Sequence, residues 1–400
     1  MKYFINTISF YFLLPVYIAV GLLLFYFNLP DNFYVGIFTF LGIVTIPVLL
    51  SELFIPFRMR INDYYNAIQI TQRHRFVIVY FCLMVILFGP VDIYVNGFKL
   101  LNPSSYAEFH GIGRYIRHIT ILCWILIPVS FIFVRHPFLK AIFIGYALLF
   151  PVLIIDRNRL LLSAYSLFLC VILTYTSSAA QRSKVIGKSL FCMLPALCFF
   201  IFSIMGQFRS GDSFIVPSSG SFLLEGAYPL DHSFFKLPSL IQQIVLYITT
   251  PIFNFATVTS YDFINQDFLM SQLSPFSREN FDLYPYAPIL VPRFNVGTEF
   301  YPFLLYGGLP MVACAFIFLL FSFIMAFYLF KKHPNIFTFL IFIRVSYNAI
   351  FMGFAPQFYI LLNLMFFILM ILLWFFSEFL IALVKNLRSM ESQCQYQQSR

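Results

Sequence analysis

Charge is scarce in this sequence. Only 10% of its 400 residues are Asp, Glu, Lys or Arg, against 61% hydrophobic ones, which leaves too little polar surface to cover a soluble globule of this size. Lipid must therefore solvate much of it. Tryptophan is nearly absent, at two residues. Six of the seven cysteines (Cys82, Cys123, Cys170, Cys192, Cys198 and Cys314) sit inside apolar runs and Cys394 lies in a polar tail, so neither a disulfide framework nor a metal-site spacing emerges. HExxH, GxSxG, Walker and Rossmann signatures are missing, which argues against metalloprotease, serine-hydrolase and nucleotide-driven chemistry. There is no internal repeat and no pair of related halves.

What is present is a series of apolar runs, near 9–28, 33–56, 76–95, 118–134, 141–155, 160–179, 189–205, 301–330, 336–354 and 358–384. A spanning helix needs about 20 apolar residues, so these runs predict an all-α polytopic integral membrane protein of about ten transmembrane helices. The first run follows Lys2 with no small-residue cleavage site after it, and reads as a retained helix. The net charge of +9 is not a nucleic-acid signal, because the basic residues lie in short links between runs. Lys2, Arg58, Arg60, Arg73, Arg75, Arg135, Lys140, Arg182, Lys184, Lys188, Lys331, Lys332, Lys385, Arg388 and Arg400 all fall on one side of the layout, which the positive-inside rule makes cytoplasmic, with both termini inside. Residues 1–205 then hold seven spans, 206–300 a large periplasmic loop, 301–384 three more spans and 385–400 a cytoplasmic tail. Leu237 to Val258 is apolar enough to count as another span, but counting it would put Lys331 and Lys332 outside. It is expected to be an interfacial or re-entrant helix.

The informative residues are arginines on the side where the rule disfavours them: Arg114, Arg117, Arg157, Arg159, Arg209, Arg278 and Arg293. Asp156-Arg157-Asn158-Arg159 stands at the outer start of a span, where a helix N-terminus and guanidinium groups together make an anion site. Pro292-Arg293-Phe294-Asn295-Val296-Gly297-Thr298-Glu299 leads into the next outward-starting span, with Asn295 or Thr298 as its cap. Arg209-Ser210-Gly211-Asp212 surfaces at the same level. Three such sites suggest a diphosphate ligand; the alternatives are lipid headgroup phosphates, or pairing with Asp156, Asp212 or Glu299. Arg344, with Asn348 one turn on, lies deep enough to need a polar cavity or a partner, unless it snorkels to the cytoplasmic face. For proton transfer the outer side offers Asp156, Asp212, Glu225, Asp231, His232, Asp262, Asp267, Glu279, Asp282 and Glu299, and spacing selects no base among them.

Two patches carry a family likeness. Arg157-Asn158-Arg159-Leu160-Leu161-Leu162 is one. Tyr247-Ile248-Thr249-Thr250-Pro251-Ile252-Phe253-Asn254, followed by Asn295-Val296-Gly297-Thr298 and then Tyr301 to Gly307, is the other. With the even number of spans and the late outer loop, the chain resembles the O-antigen polymerases, the Wzy family of bacterial surface-polysaccharide assembly. Tyr306-Gly307-Gly308-Leu309 departs from the Asp-Phe-Gly-x-x-Gly form of that family, so no role passes to Tyr306. The resemblance implies an inner-membrane glycosyltransferase that moves a growing chain from undecaprenyl diphosphate onto a new lipid-linked repeat unit; on the residues' own chemistry, arginines and helix N-termini could stabilise the leaving diphosphate without a metal, and no cofactor is expected. Its implied partners are undecaprenyl-diphosphate-linked glycans and the bilayer, with a chain-length regulator protein as a further candidate. On the combined reading Arg157, Arg159, Arg209, Arg293, Asp212 and Glu299 are catalytic candidates. Arg278, Arg344, Asn348, Tyr247, Asn254, Asn295 and Thr298 are substrate-binding candidates. An O-antigen ligase shares the donor chemistry, and a flippase or other transporter is the rival from another class.

Overall fold

The computed structural model of the chain describes residues 4–54, 60–103, 111–177, 199–206, 230–261, 264–273 and 297–398, with four isolated positions between 189 and 197. Its helices are α1 (Ile8–Tyr26), α2 (Asp31–Phe54), α3 (Ile61–Thr71), α4 (Arg75–Asn96), α5 (Ile112–Thr120), α6 (Leu126–Phe133), α7 (Pro137–Leu153), α8 (Arg157–Ser177), α9 (Ser239–Tyr261), α10 (Gln266–Leu273), α11 (Tyr301–Lys332), α12 (Ile336–Phe351) and α13 (Leu361–Gln398). A 3₁₀ turn, Ile121–Ile125, joins α5 to α6. Among the described residues, eight helices are long and apolar enough to cross a membrane, while α7 and α12 are shorter apolar helices. Large apolar side chains such as Leu14, Ile18, Phe38, Phe375 and Phe379 stay exposed on the bundle's outside, which water would not tolerate over so wide a surface. The chain is a multi-pass, all-α membrane protein.

The short helix α12 is the centre of the bundle, buried at every residue from Ile336 to Ala349. It can carry Arg344, Ser346 and Asn348 because protein rather than lipid surrounds it. Its start is set by a capping box, in which Asn335 Oδ1 accepts from Thr338 N (3.0 Å) and Thr338 Oγ1 from Asn335 N (3.3 Å). Its neighbour α11 is broken at Gly307 and Gly308; Gly308 has φ +68° and ψ −160°, open in practice only to glycine.

Contacts at helix ends show which ends lie together. Tyr347 Oη, near the finish of α12, donates to Asn158 O at the start of α8 (3.4 Å). Gly206 lies against Arg157. Glu299 N, just before α11, donates to Met352 O, just after α12 (2.7 Å). These positions share one end of the bundle, called the Arg157 end below. Both ends of α9 belong to it. At its start Ser203 Oγ donates to Leu240 O (2.8 Å). Past its finish Asn265 N donates to Leu305 O (2.9 Å), and Ser260 Oγ reaches Asn32 O at the start of α2 (3.3 Å).

A crossing helix of 23 residues would deliver its ends to opposite faces, about 34 Å apart. Although length and composition would let α9 cross, it lies across one end of the bundle. Its polar side chains are buried against protein: Gln242 Nε2 donates to Leu237 O (2.9 Å), and Thr249 and Thr257 bond back to the carbonyls of Val245 and Phe253. At the opposite end, Arg73 and His74 meet Glu378, and Ser9 at the start of α1 meets Glu52 at the finish of α2.

Candidate functional site at the Arg157 end

The link between α7 and α8 is abrupt. Ile155 turns the chain at φ +53°, a conformation that β-branched residues rarely adopt and that disfavours them by about 1–2 kcal/mol. Asp156 N then closes onto Pro151 O (2.8 Å), and Asp156 Oδ1 accepts from Arg159 N (3.2 Å) as the cap of α8. In a helix, side chains two positions apart point to different sides, so Arg157 and Arg159 leave this turn in different directions.

Arg159 turns inward. Its Nε pairs with Asp156 Oδ2 (2.8 Å), its Nη1 donates to Thr120 Oγ1 (3.0 Å) and its Nη2 to Arg117 O (3.1 Å). Thr120 donates onward to buried Asp92 Oδ2 (2.5 Å), which also takes Asn96 Nδ2 on its other oxygen (2.6 Å). Arg117 Nη2 lies 3.3 Å from Asp156 Oδ2. For Arg159 and Arg117 the pairing alternative therefore holds: they lock α4, α5 and α8 together, and Arg159 is no open anion ligand.

Arg157 faces α9. Its guanidinium lies 4.5 Å from the ring centroid of Tyr247 and 5.0 Å from that of Phe202, a cation–π geometry on both rings. Phe354 leans on both rings. Gln243 Oε1 accepts from Ser203 Oγ (3.0 Å), and its Nε2, fully buried, has no acceptor among the described residues. Gly206 allows this meeting, since a Cβ there would stand 2.1 Å from Gln243 Nε2 and 2.9 Å from Arg157 Nη1. Below the pair opens an apolar cavity of about 360 Å³, lined by residues that include Leu161, Ile248, Phe354, Leu14 and Ile18. Leu161 is one turn on from Arg157, and the exposed Leu14 and Ile18 face the lipid side. The cation and the orphaned amide donor do not line the cleft themselves but stand next to it, through Leu161, Ile248 and Phe354.

Comparison with family models, with curated proteins and with solved structures gives no match. The functional reading therefore rests on the chemistry of the site. Among the described residues no group of His, Cys, Asp or Glu could hold a metal ion.

A second polar layer lies inside the bundle. Arg344 Nε donates to Asn363 Oδ1 (2.8 Å), in the first turn of α13 at the Arg157 end, so Arg344 does not snorkel to the far face. The amide of Asn348 is fully buried, and both its polar atoms lack partners among the described residues. Tyr165 Oη donates to Ser346 Oγ (2.7 Å) on the same helix.

Glu299 takes a role that its sequence context did not suggest. Its Oε2 accepts from Gln357 N (2.6 Å) and Phe358 N (2.9 Å) and its Oε1 from Tyr359 N (3.0 Å), pinning the link between α12 and α13 to the start of α11. Burial pushes its carboxyl up to about 7, against the pull of those three N–H groups and of Arg344. Thr298 does not cap α11: Phe300 holds the cap position, and the buried Thr298 hydroxyl has no partner among the described residues. Asn254 is buried in α9, seven residues beyond Tyr247 and so about 10 Å further along the helix. Asp231 caps the turn His232–Phe235 by accepting from Ser233 N (2.7 Å), a structural task. Arg209, Asp212, Arg278, Arg293 and Asn295 lie outside the described residues. Phe202, Gly206 and Gln243 went unnoticed as site residues in the sequence; Gln243 left one trace, as a polar interruption of an apolar run.

Proposed function

We propose that the protein is an inner-membrane polymerase that joins undecaprenyl-diphosphate-linked oligosaccharide repeat units into O-antigen polysaccharide, with the Arg157 end facing the periplasm. The observation that carries the reading is the convergence of Arg157 and Gln243 Nε2 at Gly206, next to a lipid-facing apolar cleft. Such a place suits an anionic head on a hydrocarbon tail. An acceptor sugar hydroxyl would attack the anomeric carbon of the donor chain. The new glycosidic C–O bond forms as the bond to the diphosphate breaks, and the hydroxyl proton departs to a base. Arg157 would stabilise the charge that grows on the leaving undecaprenyl diphosphate. The basic residues support this orientation: Arg73, Arg75, Lys331 and Lys332 lie at the opposite helix ends and Lys385 in the part of α13 beyond Glu378, on the side that the positive-inside rule assigns to the cytoplasm.

Deleting the gene and resolving the lipopolysaccharide on a gel tests this. Loss of a polymerase leaves a single repeat that still crosses the membrane and reaches lipid A core, so the ladder should collapse to core plus one unit. Bare core would reject the proposal: polymer held on undecaprenyl diphosphate would then indicate a ligase, and trapped single units a flippase. A second test addresses the site. Gly206→Ala should displace Gln243 and Arg157 and cut polymer synthesis on the order of a hundredfold at normal membrane abundance. A normal ladder from that variant would remove this corner from the active site.

A further inference from the structure

At the end opposite Arg157, a cavity of about 720 Å³ lies between the α3–α4 link and α13. Gln72, Arg73, His74, Arg75, Ser377 and Lys385 form its polar part, and the apolar part runs along Phe76 and the 380–384 stretch of α13. The link is tightly bent, with Gln72 at φ +42° and His74 at φ +70°, both unusual for residues with side chains. What holds it is His74, whose Nδ1 lies 2.8 Å from Ser377 Oγ and whose Nε2 lies 3.5 Å from Glu378 Oε1. Burial pushes the His74 imidazole down to about 4, so it stays neutral and acts as a plug. The cations are Arg73, Arg75 and Lys385. Glu378 pairs with Arg73, whereas Arg75 and Lys385 are exposed and have no ion-pair partner among the described residues. On both walls an exposed apolar side chain (Phe76 on one, Val384 on the other) stands beside a cation, Arg75 and Lys385 respectively, the arrangement expected where hydrocarbon meets headgroups.

We infer that this cavity is a binding site for an anionic glycerophospholipid, its phosphodiester between Arg75 and Lys385 and its acyl chains along Phe76 and Val384. Two unneutralised cations over one apolar wall match that ligand and no neutral lipid. The site lies at the other end of the bundle from Arg157 and does not depend on the polymerase reading. The test uses the full-length protein in nonionic detergent, with binding of phosphatidylglycerol and of phosphatidylcholine followed by native mass spectrometry. Wild type should prefer phosphatidylglycerol by roughly tenfold or more, and Arg75→Gln/Lys385→Gln should bring the ratio near one. Lys331→Gln/Lys332→Gln, which removes two exposed cations outside the cavity, should keep the preference. Three results would each overturn the site: no preference in wild type, a preference that survives the first double variant, or equal loss in both variants. Inorganic phosphate that displaces phosphatidylglycerol at equal concentration would also overturn it, by showing that the acyl wall contributes nothing.

Discussion

Arg157→Ala should abolish long-chain polysaccharide while the protein stays in the membrane at normal abundance, whereas Arg159→Ala should deplete the protein itself. The two residues are two positions apart in one motif, and the difference lies in their surroundings. Arg157 rests between Tyr247 and Phe202, and its removal takes away positive charge next to the lipid-facing cleft. On the polymerase reading that charge stabilises the departing diphosphate, a contribution on the order of 10²–10³ in rate. Lysine should restore only part of it, since an ammonium offers no planar fork. Removing Arg159 instead strips Asp156 of its closest cation and takes a donor from the Thr120–Asp92 pair, all of it largely buried. Breaking a buried charge network this way costs about 3–5 kcal/mol, enough to unfold a marginal protein. Polymer ladders and quantitative blots of membrane fractions check both halves. Normal polymer from Arg157→Ala, or a stable and abundant Arg159→Ala protein, would sink the division of roles.

Glu299→Ala should be among the most destabilising single changes in the Arg157 end. The carboxylate satisfies the backbone N–H groups of Gln357, Phe358 and Tyr359, and alanine would strand all three at about 1–3 kcal/mol each. The same group adds a pH dependence. Its folded value of about 7 lies above the ordinary 4.5, so between these pH values the folded chain keeps a proton that the unfolded chain releases. Its contribution is complete below about 4.5 and is lost as pH rises through about 7. His74 acts in the opposite sense: with a folded value near 4 against 6.5, it favours the fold fully above 6.5 and less as pH falls towards 4. The informative comparison is therefore wild type against Glu299→Gln, which has no proton to lose. From pH 5 to pH 8, the thermal midpoint of wild type should fall relative to that of the glutamine variant, measured in detergent by intrinsic fluorescence. Parallel curves would show that Glu299 does not titrate there.

Much of the architecture is legible in the chain itself, because an apolar run of about 20 residues has few choices in a bilayer. α1, α2, α4, α8 and α11 fall where the runs put them. The runs at 141–155 and 336–354 become α7 and α12, short helices in which neighbouring protein replaces part of the lipid contact. The stretch 237–258 is where composition stops being decisive. Gln242, Gln243, Pro251 and Asn254 weaken it as a span without excluding one, and the position of both its ends against a single end of the bundle is a fact of contacts far apart in sequence.

The site divides in the same way. That Arg157 and Arg159 would stand in the first turn of a helix was readable in the chain itself. That Arg159 would be taken into a buried network was not, because Asp156 lies within three positions of both arginines and only the packing of α5 against α8 brings Arg117 O and Thr120 to Arg159. Glu299 reads in sequence as one more acid among many, and becomes a staple once the 352–359 link folds over it. Sequence by itself determined the lipid-solvated helical fold, its helix positions and the charge asymmetry of its two ends, since these follow from the free energy of moving single residues between water and hydrocarbon. Only the tertiary structure decided the course of α9, the separate fates of Arg157 and Arg159 and the role of Glu299, since hydrogen bonds and ring contacts depend on distances of a few ångströms between residues tens to hundreds of positions apart.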